Sequence, residues 1–308
     1  MLRKIDEFSS SIHNKKFLLA ILILLVTLIW GYAWVLMKAS LVFMGPFTFS
    51  ALRFSTGAVT MFVILFILKV GPPPKEQWKH LAVIGLLQTT VVFLFVMYGL
   101  KFVDAGKSSV LLYSMPIWSS LLASIFLSEK IPKVKGLGLV LGMTGLLTIL
   151  GWDVIVQQDL TVLAGELLII LAAVSWGISN VYYRKKLKNV TNLQVSAYQM
   201  LFGSLGLIIA ALITEWGDAV HLTTESVYYV LFTGVLASAL CFTLWFVILN
   251  SIDMVTATLS TLLVPVFGMI FGAVLLNEKL GINVISGSAM ILAGIAVSQL
   301  YKRTTSPS

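Results

Sequence analysis

Long apolar stretches separated by short polar connections dominate the pattern of this chain. A helix needs about 20 apolar residues to cross the hydrocarbon core of a bilayer. Ten stretches come close to this length, and no connection is long enough to hold an extramembrane domain. We therefore predict an all-α integral membrane protein with ten transmembrane helices, at residues 17–37, 47–68, 80–99, 106–128, 134–151, 163–183, 193–214, 227–249, 255–277 and 284–301.

The basic residues fall mainly on one side of the predicted membrane. When successive connections are assigned to alternate sides, sixteen Lys and Arg residues share the side of the N-terminus and four lie on the other, while Arg53 lies within a helix. Cytoplasmic loops carry an excess of Lys and Arg, so we expect both termini in the cytoplasm. The distribution also supports an even number of helices, because one missed helix would move later basic loops to the wrong side.

Composition agrees with a membrane protein and excludes other classes. Of 308 residues, 58% are hydrophobic and 11% are charged, whereas soluble domains carry about 25% charged residues. The net charge of +8 does not indicate nucleic-acid binding, because the basic residues form short runs between apolar stretches. The single cysteine, Cys241, excludes an intrachain disulfide, and the chain has no cysteine and histidine cluster typical of a metal site. We expect no metal and no cofactor. We interpret the first apolar run as a retained helix, since it is long for a signal peptide.

The two halves of the chain resemble each other at a nearly constant spacing. The matched positions, at an offset of 146 and then of 149 residues, are Trp30-Gly31 with Trp176-Gly177, Lys38 with Arg184, Gly57 with Gly203, Phe93 with Phe242, Pro116 with Pro265 and Glu129-Lys130 with Glu278-Lys279. Because each copy has five predicted helices, the second copy is inverted in the membrane. Inverted repeats are a recurring architecture of secondary transporters, which place the substrate near mid-membrane between the halves.

These motifs resemble the EamA family of the drug/metabolite transporter superfamily over nearly the whole chain. The residues that carry the resemblance are Trp30-Gly31, Leu52-Arg53-Phe54, Ser114-Met115-Pro116 and Glu129-Lys130, with Trp176-Gly177, Pro265 and Glu278-Lys279 in the second unit. The second unit departs from the first at Gln199, which stands where the first has Arg53. A role of that arginine would therefore not be shared by both halves.

The resemblance implies a domain organisation and a class of function. We expect a cytoplasmic tail at 1–16, EamA-like repeats at 17–151 and 163–301, an external linker at 152–162 and a cytoplasmic tail at 302–308. The family consists of permeases for small metabolites, often exporters, in bacterial inner membranes. We thus expect a multi-pass protein of a bacterial inner or plasma membrane.

Two matched prolines and a set of polar and aromatic residues are candidates for the substrate site. A proline inside a helix removes a backbone hydrogen bond and kinks the helix, so Pro116 and Pro265 are expected to shape a cavity. Tryptophan rings offer stacking faces, amides offer hydrogen bonds, and a charge within a membrane helix is by default a functional hypothesis. The candidates for lining the cavity are Trp30, Trp34, Arg53, Gln88, Tyr113, Trp176, Asn180, Gln199 and Thr261.

Structural roles stay open for each of these residues. Tryptophan also packs between helices or anchors at the interface, and the two Trp motifs fall toward the ends of their predicted helices. Hydroxyls and amides also join helices. Arg53 could reach the interface or pair with a loop acid. Glu129 and Glu278 end their helices and are most simply boundary groups.

We predict a secondary transporter that moves a small organic metabolite, such as an amino acid or a drug-like solute, by alternating access. Its partners are then the solute and the lipid bilayer, and the sequence leaves open whether it forms a homo-oligomer. An enzyme is disfavoured because the three histidines lie outside the membrane core and no nucleophile with a base is evident. A receptor or interaction protein without transport activity is the alternative. No Asp, Glu or His lies near the middle of a predicted helix, which favours facilitated diffusion or exchange over proton coupling.

Overall fold

Helices form nearly the whole of the computed structural model, which describes residues 16–126, 132–152, 159–252, 257, 261 and 263–300. No β-strand occurs among these residues. In chain order the helices are α1 (Lys16–Ser40), α2 (Pro46–Ile67), α3 (Lys75–Gly99), α4 (Ala105–Phe126), α5 (Lys133–Trp152), α6 (Leu160–Lys186), α7 (Asn192–Thr214), α8 (Thr224–Ser251), α9 (Leu263–Leu275) and α10 (Ile282–Leu300).

The helices have the length and composition of membrane spans. Seven of those in the described part, α1 to α4 and α6 to α8, are long and apolar enough to cross a bilayer, and the apolar segments within α5, α9 and α10 are shorter. Large apolar side chains such as Phe66, which is 85% exposed, cover the outer surface. Such a surface is typical of contact with lipid rather than water. The all-α membrane architecture is confirmed. The two tails and Glu129-Lys130 lie outside the described residues.

The helix boundaries differ modestly from the predicted ones. Helix α3 begins at Lys75 rather than at residue 80, and α1 continues to Ser40. Both extensions add polar turns that a count of apolar residues leaves out. The longer α1 moves Trp30 away from the helix end to its middle, and Trp176 likewise lies well inside α6. The expectation that these tryptophans lie near helix ends was therefore wrong.

The inverted repeat is visible in the pairs of helices that pack together. Three helices pack against their own repeat counterparts: α2 against α7, α4 against α9, and α5 against α10. The other close pairs occur twice, once in each sense: α3 with α7 and α8 with α2, α3 with α6 and α8 with α1, and α4 with α6 and α9 with α1. The two halves are thus interlocked, and the midline of the molecule runs between equivalent helices.

Within the described residues, each half contains one π-helical segment, and the two lie at matching places. Gly85–Val91 forms it within α3, and Phe232–Leu240 forms it within α8. A π-helical turn is rare, and it leaves carbonyl groups without their ordinary α-helical donors. Side chains from neighbouring helices bond to these carbonyls: Ser175 Oγ donates to Leu87 O (2.7 Å), and Trp30 Nε1 donates to Ala237 O (2.8 Å).

Matched glycines allow the π-helical segments to approach the neighbouring helices. A Cβ atom at Gly85 would lie 2.7 Å from Gln199 O on α7, and one at Gly234 would lie 2.8 Å from Arg53 O on α2. Real Cβ atoms do not approach backbone atoms this closely. Since Gln199 is the repeat counterpart of Arg53, the two crossings are the same contact repeated.

Helix α4 is interrupted near its middle, where sequence reasoning predicted only a kink. The helix ends at Leu112 and resumes at Met115, and Pro116 occupies the first turn of the second half. Proline cannot donate to the preceding turn, so the chain leaves the α-helical path through Tyr113 and Ser114. Pro265 has the equivalent place in the first turn of α9, just after the turn residue Thr261.

Replacing Gly85 by alanine should destabilise the protein by about 1–3 kcal/mol, because overpacking of a close contact costs this much. The new methyl group would meet the backbone of α7 rather than a flexible side chain. Thermal unfolding of the purified protein in detergent measures the effect. Gly71→Ala is the matched control, since a Cβ there would meet nothing within 4 Å. Equal melting temperatures for the two variants would contradict the close approach.

Candidate functional site

A small cavity lies at the centre of the molecule, where equivalent helices of the two halves meet. Its walls come from α1, α2, α3, α4, α6 and α8, through Trp30, Ala33, Trp34, Met37, Arg53, Phe93, Leu112, Tyr113, Trp176 and Phe242. The remaining space is about 20 Å³, which is room for about one water molecule. The cavity is therefore occluded in this structure, and an organic solute would need the walls to move apart.

Aromatic rings form most of the cavity wall. The centroid of the Trp30 ring lies 5.9 Å from that of Trp176 and 5.6 Å from that of Phe242, both edge to face. Trp176 and Phe242 are stacked with centroids 5.9 Å apart, and Tyr113 lies 6.5 Å from Trp176. Because Trp30 and Trp176 are repeat counterparts, this cluster straddles the midline between the halves.

The tryptophans differ in whether their indole N–H groups have acceptors. Trp30 donates to the π-helical carbonyl of Ala237. Trp176 and Trp245 are also buried, and their Nε1 atoms find no hydrogen-bond partner in the part of the chain that the structure describes. The ring centroid of Trp245 lies 6.2 Å from that of Trp30. A buried donor without an acceptor costs free energy, so these groups are available to a polar ligand.

Arg53 brings a positive charge to the cavity, and its guanidinium contacts neutral groups. Nε donates to Ser238 Oγ (2.9 Å), and Nη1 donates to Met37 Sδ (2.8 Å). Its Cζ lies 4.9 Å and 4.6 Å from the ring centroids of Phe54 and Phe93. No Asp or Glu among the described residues forms an ion pair with it. Arg53 is buried, so it does not reach the interface, and it pairs with no loop acid that the structure describes.

Other basic side chains within the helices have different partners. Lys107 on α4 forms an ion pair with Glu166, which is fully buried on α6. Lys38 donates to two backbone carbonyls, and so does Arg184. Among the basic side chains placed by the structure, Arg53 is the one that faces the central cavity.

The remaining predicted cavity residues are buried but do not line this cavity. Asn180 Nδ2 donates to Met115 Sδ (3.3 Å), and its Oδ1 has no partner among the described residues. Thr261 lies in the turn before α9 and makes further contacts. Both side chains belong to the helix packing around the cavity in this occluded state.

The two predicted glutamines also lie outside the cavity wall. Gln88 Oε1 accepts from Ser179 Oγ (3.3 Å), and Gln199 Oε1 accepts from Thr89 Oγ1 (3.3 Å). The Gln199 contact with Thr89 is the repeat counterpart of the contact between Arg53 and Ser238. Both glutamine Nε2 atoms lack acceptors among the residues described.

Sequence reasoning missed half of the cavity wall. Ala33, Met37 and Leu112 gave no contrast with the other apolar residues of their helices. Phe93 and Phe242 did carry a signal, since they match at the 149-residue offset, and in the structure both rings pack against Phe54. The pair was matched between the two halves but was not selected as a candidate for the cavity.

Two basic residues hold equivalent chain connections at opposite ends of the bundle. Lys38 Nζ, in the last turn of α1, donates to Leu100 O (2.5 Å) and Val103 O (2.9 Å), which join α3 to α4. Its counterpart Arg184, near the end of α6, donates through Nη2 to the repeat-equivalent carbonyls that follow α8, Leu249 O and Ile252 O, both at 2.8 Å. We call these contacts the Lys38 latch and the Arg184 latch.

Glu278 strengthens the closure at the Lys38 end. Its carboxylate accepts from Ala105 N (2.6 Å) and Gly106 N (2.9 Å) at the start of α4. Burial raises the pKa of this carboxyl, while the two N–H groups oppose the rise. The contact ties the connection between α9 and α10 to that between α3 and α4, which agrees with a boundary role for this glutamate.

Comparison with known proteins identifies the family to which this two-part chain belongs. The model of the EamA-like transporter family matches residues 17–151 and 163–299, one copy in each half. The chain belongs to the EamA-like transporter family. It is therefore a multi-pass membrane transporter, and the predicted family is confirmed.

Relatives with full-length similarity have transporter names. The chain is 38% identical over 274 residues to the "Uncharacterized transporter YoaV" of Bacillus subtilis, covering 89% of this chain and 94% of that protein. It is 25% identical over 288 residues to a "Probable amino-acid metabolite efflux pump" of Escherichia coli, with coverage of 90% and 93%. A crystal structure that is 19% identical superposes with a TM-score of 0.70 over 92% of this chain and 97% of the other, which shows a shared fold.

Replacing Pro116 by alanine should leave insertion intact but slow access to the central cavity. Alanine restores the missing N–H and lets α4 run straight, which narrows the opening that an interrupted helix provides. The rate at which a thiol reagent labels an Ala33→Cys variant, in a Cys241→Ala background, measures access. Pro74→Ala is the control, since Pro74 is an exposed N-cap of α3. An unchanged labelling rate in Pro116→Ala would show that the proline is incidental.

Proposed function

We propose that this transporter is a secondary exporter of a small organic metabolite and works by alternating access through the central cavity. The observation that carries the proposal is the position of the cavity, closed on the midline between two inverted halves. Secondary transporters with inverted repeats bind their substrates in this place. The name of the Escherichia coli relative supports efflux of an amino-acid metabolite as the direction and substrate type.

The latches provide a physical basis for alternation. They occupy opposite ends of the bundle, since α1 and α6 end on opposite sides when successive helices alternate. Each consists of one cation and two carbonyl groups at repeat-equivalent positions. Hydrogen bonds that involve a charged group contribute about 1.5–3 kcal/mol each. Releasing one latch while the other holds would open the cavity to one side only.

The distribution of basic residues gives the proposed orientation. Both termini lie in the cytoplasm, which puts the Arg184 latch at the cytoplasmic end and the Lys38 latch at the external end. The connection at 152–162 is then external. The latches would act as an inner and an outer gate around one central site.

We further propose facilitated diffusion or exchange as the mode of energy coupling. None of the described residues that line the cavity is an acid or a histidine, and these are the groups that commonly relay protons in transporters. Glu166 forms an ion pair with Lys107, and Glu278 caps a helix. Neither lines the central cavity in this state.

Matched latch variants test the mechanism. Lys38→Met and Arg184→Met should each remove one set of charged hydrogen bonds while keeping a long side chain. With Ala33→Cys as the reporter, Lys38→Met should raise labelling by a membrane-impermeant maleimide several-fold in right-side-out vesicles. Arg184→Met should do so in inverted vesicles.

Each variant serves as the control for the other, because both lose one cation at equivalent positions. Faster maleimide labelling from the same side of the membrane in both variants would contradict alternation between two gates. An absence of change on either side would show that the two contacts do not close the cavity.

A further inference from the structure

The charge and hydrogen-bonding character of the cavity define a narrower class of solute. We propose that the transported solute is a monoanionic carboxylate with an aromatic or apolar body, and that the guanidinium of Arg53 binds the carboxylate. This inference rests on the proposed transport through the cavity. It goes beyond the amino-acid or drug-like solutes considered above, because it excludes zwitterions and cations as the preferred class.

The first support is an uncompensated positive charge. Among the ten described residues that line the cavity, Arg53 is charged and none is acidic. A buried charge without an opposite charge is costly, and its cost falls when a counter-ion is bound. A monoanion neutralises the occupied cavity. A zwitterion would leave it positive and would also bring an ammonium group with no carboxylate to meet it.

The geometry of Arg53 suits a carboxylate. The two hydrogen bonds assigned to its guanidinium go to a hydroxyl and to a thioether. Both are weak, neutral acceptors, and the thioether belongs to a flexible methionine that can move aside. A guanidinium binds a carboxylate through two parallel hydrogen bonds of about twice the strength of neutral ones. The solute would therefore displace Met37 Sδ at a net gain.

The second support is an excess of unused donors in and around the aromatic cluster. Trp176 lines the cavity, and the ring of Trp245 lies next to that of Trp30. The Nε1 atoms of Trp176 and Trp245 have no acceptor among the described residues. The Nε2 atoms of Gln88 and Gln199, which lie in the surrounding helix packing, also lack acceptors among the described residues. Among the described side-chain amides, one buried oxygen lacks a donor, namely Asn180 Oδ1. A donor-rich surrounding favours ligands that bring acceptors, as carboxylates do.

The third support concerns the body of the solute. Six of the lining side chains are aromatic, and the stacked and edge-to-face rings offer flat apolar faces. Aromatic rings also attract cations, so a cationic solute is the competing class. The nearby guanidinium opposes it, since its Cζ lies 4.6 Å from the centroid of Phe93 and uses the face of that ring.

Three probes that share one phenyl ring and chain length separate the classes. They are 3-phenylpropanoate, phenylalanine and phenethylamine, which are a monoanion, a zwitterion and a monocation at neutral pH. Isothermal titration calorimetry on the full-length protein in lipid nanodiscs gives the Kd of each. We expect 3-phenylpropanoate to bind at least about tenfold more tightly than phenylalanine, a difference of roughly 1.4 kcal/mol, and phenethylamine to bind least.

The variant Arg53→Gln ties the preference to this residue. Glutamine occupies the equivalent position, 199, in the second half, so the fold accommodates it there. The variant should lose at least about tenfold in affinity for 3-phenylpropanoate and no longer prefer it to phenylalanine. Arg53→Lys keeps the charge without the two-pronged geometry and should bind with intermediate affinity. If Arg53→Gln does not fold, the three probes on the wild-type protein decide the question alone.

Several results would overturn the proposal. Phenylalanine binding as tightly as 3-phenylpropanoate would establish a zwitterion site, and tightest binding of phenethylamine would establish a cation site. No binding of 3-phenylpropanoate, or unchanged binding in Arg53→Gln, would remove the role of the arginine. None of these results affects the latch experiment, which reports on access without any solute. Failure of the solute class and failure of alternating access can therefore be told apart.

Discussion

A backbone N–H or C=O group inside a bilayer has no water to bond with, so each must be satisfied within the protein. This constraint governs where the helices can depart from regular geometry. The departures in the described part are the π-helical segments of α3 and α8 and the interruption before Pro116. Each π-helical segment ends two residues before a cavity residue, Phe93 or Phe242, and the interruption contains the cavity residue Tyr113. There, side chains such as Trp30 and Ser175 complete the bonding of the freed carbonyls. Irregular backbone is thus confined to the place where a solute would need space.

The inverted repeat places equivalent contacts in both halves of the molecule. The contacts of Lys38 and Arg184, and those of Ser238 with Arg53 and Thr89 with Gln199, are pairs at equivalent positions. Under the proposed alternation, contacts of the same kind at opposite ends would let one closed end replace the other at little net cost in free energy. A marked asymmetry lies at the centre, where the arginine has a glutamine as its counterpart. The halves share their mechanics and differ in the chemistry offered to the solute.

Much of the fold could be predicted from the sequence because lipid imposes a simple pattern. The number and order of the apolar stretches, and the paired motifs at Trp30 and Trp176, indicate an inverted repeat before any coordinates are known. The π-helical segments could not be predicted, since one extra residue in a turn leaves no mark on an apolar stretch. The latch residues matched between the halves, but their partners are backbone carbonyls, which are the same for every residue type.

The candidate site was only partly predictable for a related reason. Arg53 and Trp30 differ from their apolar neighbours and could be selected, and both line the cavity. Asn180 and Gln88 differ equally, yet they pack between helices. A polar residue in a membrane helix is expected to be buried with hydrogen-bond partners. The sequence does not show whether that partner is a solute or a neighbouring helix. Met37 has no such contrast, although it contacts the guanidinium at the centre of the site.

Distances across the two ends test the central claim, that one cavity opens alternately to either side. Spin labels at Lys101 and Ile282 span the Lys38 end, and labels at the repeat-equivalent Asn250 and Lys133 span the other, all in a Cys241→Ala background. Double electron–electron resonance should show two distances for each pair. A change that lengthens the distance between the labels at one end, such as the Lys38→Met substitution, should shorten the distance at the other end or leave it unchanged. Simultaneous lengthening of both pairs, or a single unchanging distance in each, would contradict the account.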